Sequence, residues 1–547
     1  MDIENNSSLT ANRASQGALK GVVLLTASTM ICKVIGLFFK IPIINIVGID
    51  GMAYFTNAYN VYMMLNALTA AGLPVALSIM VSKNRALNNI ANLKKVFNTA
   101  FIIFLILGFS GSLLLFLGAD SYSNFIGMSE SSASVRAIAP TLLLICISGA
   151  IRGFFQGYEM MAPTAVSQML ESFGKLLLGI AFATITLHQG GNAADAAASA
   201  VLGLSAGVLI STSYLIIKYL IFSCRSDKVG LVRLDNTDRR IKIVSDLAVI
   251  ALPVTLSASV NSLTSLADTV LITNRLIDAG WTSDAAVTLY SSYSNFAIPL
   301  FNLPPALVTS VALALVPALT AALATNDSKG SDSIFRSSTR LCLAMALPAA
   351  AGLGVFARPI ILMIFPGQQE ACRFAAPLLS LLSVSIIFCC VTTVCNAVLQ
   401  AHLKTHLPII AMAIGAIVKI VIEYLLIGSK IGIYGAPIST LACTFTIMAL
   451  DIWFVYKVTS HRFESKGVVK LLASSVISVS IALLLYLLID RFILSQSIAL
   501  IIAIIIAIVS YAVLVILFKA FSYEDLLVVP FGKKLADVLL EHKMIIK

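Results

Sequence analysis

Apolar residues fill long runs of this chain, and short polar segments separate the runs. About 20 consecutive apolar residues are enough for a helix to cross the hydrocarbon core of a bilayer. By that measure the pattern predicts fourteen membrane-spanning helices, at 21–47, 54–82, 96–118, 136–157, 164–187, 197–222, 247–273, 286–323, 340–364, 374–401, 408–427, 433–456, 468–489 and 497–518. The predicted fold class is therefore an all-α polytopic membrane protein.

Composition indicates the same class. The chain has 547 residues, of which 59% are hydrophobic and 12% charged, and its mean hydropathy is +0.96. These values exclude an ordinary soluble protein. The nine cysteines lie almost entirely within apolar runs and form no CxxC pair, so they predict neither a disulfide framework nor a metal site. The first twenty residues are polar, and no removable signal peptide is expected.

Basic residues predict how the chain is oriented. Most of the 37 lysines and arginines lie in the N-terminus, in alternate loops and in the C-terminal tail, whereas the opposite loops hold four, namely Arg275, Arg373, Lys430 and Arg491. Cytoplasmic loops of membrane proteins carry an excess of such residues. We therefore expect both termini on the cytoplasmic side of the membrane.

The longest loop, 223–246, divides the chain after six predicted spans. The expected organisation comprises an N-terminal lobe at 1–222, a basic cytoplasmic linker at 223–246, a C-terminal lobe at 247–458, two further helices within 459–520, and an amphipathic tail at 521–547. A weak repeat relates the lobes, since Gln156, Pro163 and Lys175 recur at similar spacing as Gln400, Pro408 and Lys419. Paired lobes of this kind are typical of transporters that work by alternating access.

Charged residues inside predicted spans are the strongest functional signal. A charge at the centre of a spanning helix costs about 2.5–3.5 kcal/mol on insertion scales, so it normally faces water or a partner. Lys33 and Lys40 share one face of the first span, which offers no acid to neutralise them, and Arg152 lies on the fourth. These three cations are expected to form a positive ladder that binds an anionic substrate, although snorkelling could also explain Lys40 and Arg152.

Other charges in the spans come in opposite pairs. Glu171 and Lys175 are four residues apart, as are Lys419 and Glu423, so each pair can neutralise itself on one helix face. A structural role and a role in the cavity are both open for these pairs. Asp268 on the seventh span could oppose the ladder or bind a coupling cation.

Uncharged polar residues form stripes on several spans. The candidates for lining a substrate path are Asn57, Asn60, Asn261, Asn396 and Gln400. Hydrogen bonding between helices is the alternative explanation for such residues.

The sequence lacks two common motifs of enzyme chemistry. It contains no Walker A or HExxH motif, and His402 and His406 lack a third metal ligand nearby. We expect a transporter rather than an enzyme, with no cofactor, no metal and no nucleic-acid partner.

Three segments carry a resemblance to a known family: RGFFQGYEMMAPTAVSQMLE at 152–171, AYNVYMMLNALTAAGLPVALSIMVSK at 58–83 and LLIGSKIGIYGAPIST at 425–440. The chain resembles the SpoVB-type polysaccharide biosynthesis proteins of the multidrug/oligosaccharidyl-lipid/polysaccharide exporter superfamily, close to the MurJ lipid II flippases. The resemblance implies two lobes that move an undecaprenyl-pyrophosphate-linked sugar from the inner to the outer leaflet. It also implies that Lys33 and Lys40 stand where the family carries cationic cavity residues.

The chain departs from the MurJ pattern at two places. The stretch from Ala67 to Gly72 carries no basic pair, and Tyr293, Ser294 and Asn295 stand where a charged cluster is expected. The resemblance therefore implies a lipid-linked saccharide, lipid II foremost, in a bacterial plasma membrane, with cell-wall synthesis proteins as further candidate partners. A precursor of another polysaccharide or of the spore cortex, and a cation-coupled multidrug antiporter, are the alternatives, together with a scaffold that transports nothing.

Overall fold

The structure is a computed structural model. It describes residues 2–67, 72–87, 89–158, 160–226, 238–324, 328–402, 404–459, 465–490, 496–522 and 525. The chain divides into two compact units, Met1–Asn274 and Arg275–Lys547. The predicted tail at 521–547 lies almost wholly outside the described residues, as does the linker between 227 and 237.

The first unit consists of long helices. They are α1 Asp2–Asn66, α2 Gly72–Ala86, α3 Ile90–Phe125, α4 Ser132–Gly157, α5 Met161–His188, α6 Ala193–Ser226 and α7 Arg240–Asp278, whose last residues belong to the second unit. Helix α1 contains the first two predicted spans up to Asn66, and its backbone leaves helical geometry at Gly48, where φ is 75°. That conformation is accessible to glycine without steric strain. The two predicted spans therefore meet at a kink that contains a single non-helical residue.

The second unit is helical as well. Its helices are α8 Ser283–Ser291, α9 Ile298–Phe301, α10 Leu303–Ala324, α11 Ser328–Val355, α12 Ala357–Ile364, α13 Gln369–Ala401, α14 His406–Ile427, α15 Gly435–Val458, α16 Ser465–Asp490 and α17 Gln496–Leu517. The eighth and ninth predicted spans each consist of more than one helix. A π-helical turn at Ser292–Ala297 interrupts the eighth span, and Phe356 separates α11 from α12. Pro304 and Pro305 occupy the first turn of α10, where a missing N–H costs nothing.

Ten segments among the described residues are long and apolar enough to cross a membrane. They are Ile90–Phe125, Ser129–Gly157, Met161–His188, Ala193–Cys224, Gly330–Val355, Gln369–Ala401, His406–Ile427, Gly432–Val458, Gly467–Ile489 and Gln496–Leu517. The other predicted crossings coincide with α1, α2, α7 and α8–α10. The prediction of an all-helical polytopic membrane protein is confirmed.

Small residues bring the helices of the first unit into close contact. Gly203 and Gly207 on α6 lie against Gly179 and Gly174 on α5, and a Cβ at Gly207 would lie 2.6 Å from the backbone nitrogen of Lys175. Glycines at this spacing let two backbones approach each other, which is how helices gain packing energy within lipid. Helix α4 packs closely on α2 in the same way, through Gly149, Gly153 and Gly157.

Hydrogen bonds between polar side chains connect the start of α7 to the turn between α2 and α3. Asn92 donates from Nδ2 to Asn84 Oδ1 and to Asp238 Oδ2, at 2.8 and 3.0 Å, and it accepts from the Asp238 backbone N–H at 2.9 Å. Lys242 donates to Asp238 Oδ1 at 2.8 Å. The hydrogen bonds from Lys242 and Asn92 hold the pKa of Asp238 below its usual value.

Substituting Gly207→Ala is expected to destabilise the first unit by about 1–3 kcal/mol, since the added methyl overlaps the backbone of α5. The thermal unfolding midpoint in detergent measures the effect. Gly118→Ala on α3 is the matched control, because a Cβ there meets nothing within 4 Å. Equal midpoints for the two variants would contradict the close packing of α5 on α6.

The lowered pKa of Asp238 predicts a pH-dependent contribution to stability. A carboxylate with a depressed pKa stabilises the fold above its unfolded pKa of about 3.9, and this contribution is lost as the pH falls through the folded value. Asp238→Asn should therefore lower the unfolding midpoint most at neutral pH, and the difference from the unsubstituted protein should shrink toward pH ~3. A difference that stays constant over this range would contradict the assignment.

Candidate functional site

Arg152, Glu171 and Lys175 meet at the packed surfaces of α4, α5 and α6. Arg152 Nη2 lies 3.0 Å from Glu171 Oε2, and Lys175 Nζ lies 2.7 Å from Glu171 Oε1. The side chains are 17%, 14% and 22% exposed, respectively. A single carboxylate is thus shared by two cations within otherwise apolar helices.

Serine hydroxyls complete the surroundings of Arg152. Its Nε donates to Ser167 Oγ at 3.0 Å, and its Nη2 also donates to Ser211 Oγ at 3.2 Å. Ser167 in turn donates to the Thr164 carbonyl. These contacts fix the guanidinium of Arg152 on α4 against both α5 and α6.

Glu171 pairs with Lys175 one turn later, on the helix face that the four-residue spacing indicated. Arg152, assigned from the sequence to the positive ladder, shares the same carboxylate. The roles of these residues in substrate binding stay predictions. Because α4 packs against both α5 and α6, it delivers a second cation to the same carboxylate. The cluster keeps a surplus of one positive charge.

Lys40 lies on α1, which packs against α5. The neighbouring Phe39 ring packs on Gly179, where a Cβ would lie 2.8 Å from it. Gly179 follows Lys175 by four residues, which corresponds to about 6 Å along α5. Lys40 is partly buried and has neither a hydrogen bond nor an ion pair with any residue that the structure describes. The side chain of Lys33 lies outside the described residues.

The polar residues predicted to line a substrate path differ in burial and in hydrogen-bond partners. Asn57 is buried, donates to Ser131 Oγ and accepts from the Tyr122 hydroxyl, both at 2.8 Å. Asn60 donates to Thr269 Oγ1 on α7 at 3.0 Å. These contacts are hydrogen bonds between helices. On α13, Asn396 is partly buried and Gln400 is exposed, whereas the side chain of Asn261 lies outside the described residues.

The remaining predicted charges lie on α7 and α14. Lys419 and Glu423 are 8% and 0% exposed on α14, four residues apart, and Asp268 is partly buried on α7. Their roles in an ion pair or in ion coupling stay predictions. His402 Nδ1 lies 2.9 Å from the Val398 carbonyl oxygen of its own helix. No group of three or more potential metal ligands occurs among the described residues.

Ser167, Ser211, Tyr59 and Tyr62 are residues of this region that sequence reasoning missed. Ser167 precedes Glu171 by four residues and so shares its face of α5, which is a signal that the sequence contains. Ser211 follows Gly207 by one helical turn on α6. Tyr59 and Tyr62, whose ring centroids are 5.9 Å apart, lie on α1, which packs against α5. Nothing in the spacing of α1 relative to α5 predicts this packing.

Comparison with known proteins identifies the family. A model described as "Polysaccharide biosynthesis protein" matches residues 18–322, which is more than half of the chain. The chain belongs to this family. A second model, MatE, matches residues 253–425. The resemblance inferred from the sequence is confirmed, and so is the class of protein, a membrane transporter of the multidrug/oligosaccharidyl-lipid/polysaccharide exporter superfamily rather than an enzyme.

Curated relatives and a solved structure extend the comparison. The chain is 26% identical to Stage V sporulation protein B of Bacillus subtilis (strain 168), over 83% of this chain and 86% of that protein. It is 24% identical to the lipid II flippase MurJ of the same organism, over 82% and 85% of the two chains. A solved structure of lipid II flippase MurJ in an inward closed conformation has a TM-score of 0.69 at 14% identity, covering 91% of this chain and 99% of that one. The likeness to that structure shows the fold.

Substituting Glu171→Gln should leave Arg152 and Lys175 without their counter-charge, and breaking a buried ion pair in this way costs about 3–5 kcal/mol. We expect a clear fall in the thermal unfolding midpoint in detergent. The matched control is Asp120→Asn, which breaks the exposed pair with Arg136 and should cost at most about 1 kcal/mol. Equal effects of the two substitutions would show that Glu171 is not shared as described.

Proposed function

We propose that this protein is a flippase that moves an undecaprenyl-pyrophosphate-linked saccharide, lipid II foremost, from the inner to the outer leaflet of a bacterial plasma membrane by alternating access. The observation that carries the proposal is a surplus of positive charge inside the first unit. Among the described, at least partly buried side chains in the apolar stretches of α1, α4, α5 and α6, the cations Lys40, Arg152 and Lys175 stand against the acid Glu171.

A cationic surplus at membrane depth has a physical cost that a substrate can offset. Each uncompensated charge costs several kcal/mol in a low-dielectric environment. A diphosphate bears about two negative charges, and sites lined by cations select anions. The net surplus of about two positive charges among the described side chains matches such a headgroup, while the polyprenyl chain stays in lipid.

The energy source can be the membrane potential. With the inside negative, outward movement of an anion is favoured by about 2.3 kcal/mol per charge per 100 mV. The linear sequence contains no nucleotide-binding motif that would supply ATP hydrolysis.

The named relatives support a lipid-linked cargo, since one is described as a lipid II flippase and another as a sporulation protein. A teichoic, capsular or spore-cortex precursor shares the diphosphate chemistry and is the first alternative. The second alternative is a cation-coupled multidrug antiporter, which the MatE match brings into consideration. Cationic drugs require surplus acids within the spans, and the first unit carries surplus bases instead.

Removing the Lys40 ammonium tests the proposal directly. We expect Lys40→Ala to lower flipping of fluorescently labelled lipid II in proteoliposomes by about 10–100-fold, because a hydrogen bond to a charged group contributes about 1.5–3 kcal/mol. Lys40→Arg should retain more activity than Lys40→Ala. The matched control is Lys218→Ala, which removes an exposed lysine of the same unit beside Tyr214.

Two further measurements complete the test. Depletion in the native cell, followed by an assay of the lipid-linked sugars on the cytoplasmic face, identifies the cargo. Full activity of Lys40→Ala at normal expression would overturn the proposal, as would faster export of a cationic dye by that variant than by the unsubstituted protein.

A further inference from the structure

A cavity of about 560 Å³ lies in the first unit, between the end of α2, the turn before α3 and the start of α7. Its volume falls within the range of about 300–1,000 Å³ that small-molecule sites in proteins have. The lining includes the polar residues Lys83, Asn89 and Asp246 and the apolar residues Ile79 and Val249. None of the lining residues belongs to the charged cluster described above, so the cavity is a separate feature of the unit.

The cavity lies where two predicted spans end. Ile79 lies within the second predicted span, and Lys83 lies one residue beyond its end. Val249 lies within the seventh, and Asp246 lies one residue before its start. Ile79 and Val249 are 50% and 69% exposed, so both apolar side chains are open to lipid. Because a bilayer changes from hydrocarbon to headgroups at the ends of a span, the lining suits an amphiphile, with polar groups at headgroup level and apolar side chains beneath them.

Two charged side chains of the lining have no partner among the residues that the structure describes. Asp238 is not one of them, because its Oδ1 accepts from Lys242 and its Oδ2 from Asn92. Lys83 is exposed and Asp246 is partly buried, and neither side chain forms a hydrogen bond or an ion pair within the described ranges. The cavity therefore offers one ammonium group and one carboxylate to a ligand.

We propose that this cavity binds a membrane phospholipid whose zwitterionic headgroup carries a primary ammonium group, such as phosphatidylethanolamine. The phosphate oxygens accept from the ammonium group of Lys83, and the headgroup ammonium donates to the carboxylate of Asp246. An acyl chain packs against Ile79 and Val249. An anionic headgroup without an ammonium group leaves Asp246 facing negative charge, and the quaternary ammonium of a choline headgroup has no N–H to donate.

A lipid in this cavity contacts both α2 and α7. It therefore adds to the hydrogen bonds by which Asp238 and Asn92 connect the start of α7 to the turn between α2 and α3. A ligand that binds the folded state and not the unfolded state stabilises the fold. The bound lipid is accordingly expected to raise the thermal unfolding midpoint, whatever cargo the protein moves.

Native mass spectrometry of the full-length protein in detergent measures which lipids stay bound. The probes are dioleoyl phosphatidylethanolamine, dioleoyl phosphatidylcholine and dioleoyl phosphatidylglycerol, which have the same acyl chains and different headgroups. We expect the ethanolamine lipid to bind about 10-fold more tightly than the choline lipid, because only its ammonium group donates a hydrogen bond to a carboxylate.

Two substitutions separate the contacts of the headgroup. Asp246→Asn removes the carboxylate charge, so the ethanolamine and choline lipids should then bind within about 2-fold of each other. Lys83→Gln should weaken both lipids alike by about 10-fold and keep their ratio, because both headgroups carry a phosphate. The matched controls are Glu130→Gln and Lys218→Gln, which change an exposed acid and an exposed lysine of the same unit outside the cavity.

Several results would overturn the lipid site. Equal binding of the ethanolamine and choline lipids by the unsubstituted protein is one, and tighter binding of the glycerol lipid is another. Asp246→Asn with a normal unfolding midpoint and an undiminished preference for the ethanolamine lipid would do the same, as would loss of that preference in Glu130→Gln. If free O-phosphoethanolamine displaces the lipid at equal concentration, the apolar lining contributes nothing and a membrane lipid is not the ligand.

Discussion

A charge inside an apolar helix must find a counter-charge, hydrogen bonds or water, and the first unit is built around one solution to this constraint. Glu171 lies between Arg152 and Lys175, so one carboxylate compensates two cations in part. The remaining donors of Arg152 reach Ser167 and Ser211 on the two neighbouring helices. Removing the carboxylate would leave two ions with an unmatched desolvation cost, which is why the pair network is central to the unit.

This network depends on how closely α5 and α6 approach each other. Gly174 and Gly179 on α5 meet Gly207 and Gly203 on α6 at distances that leave no room for a Cβ. Ser211, one turn beyond Gly207, is thereby brought near enough to α5 for the Arg152 guanidinium to contact both helices. The contacts of the buried charges therefore depend on the close packing of α5 on α6 through small residues.

The carboxylate and the ammonium groups of this unit differ in how far their hydrogen-bonding capacity is used. Each oxygen of Glu171 has a cationic partner, whereas the ammonium groups of Lys175 and Lys40 retain N–H donors. Lys40 has no ion-pair partner among the described residues. Helix α1 thus adds a cation to the packed helices that carry the shared carboxylate. An anion with several acceptor oxygens is the complement of such a surface.

The sequence by itself determined the fold class, the approximate positions of the spans, the family and the presence of excess bases at membrane depth, because apolar run length and charge cost are local properties of the chain. It also predicted the Glu171–Lys175 pair, since a four-residue spacing fixes a shared helix face. The tertiary structure decided which helices meet: it brought Arg152 from α4 to Glu171 on α5, and it satisfied Asn57 and Asn60 with partners on other helices. It also broke two predicted spans, at Ser292–Ala297 and at Phe356. Contacts between distant segments depend on helix rotation and approach, and a linear pattern of apolar and polar residues does not specify either one.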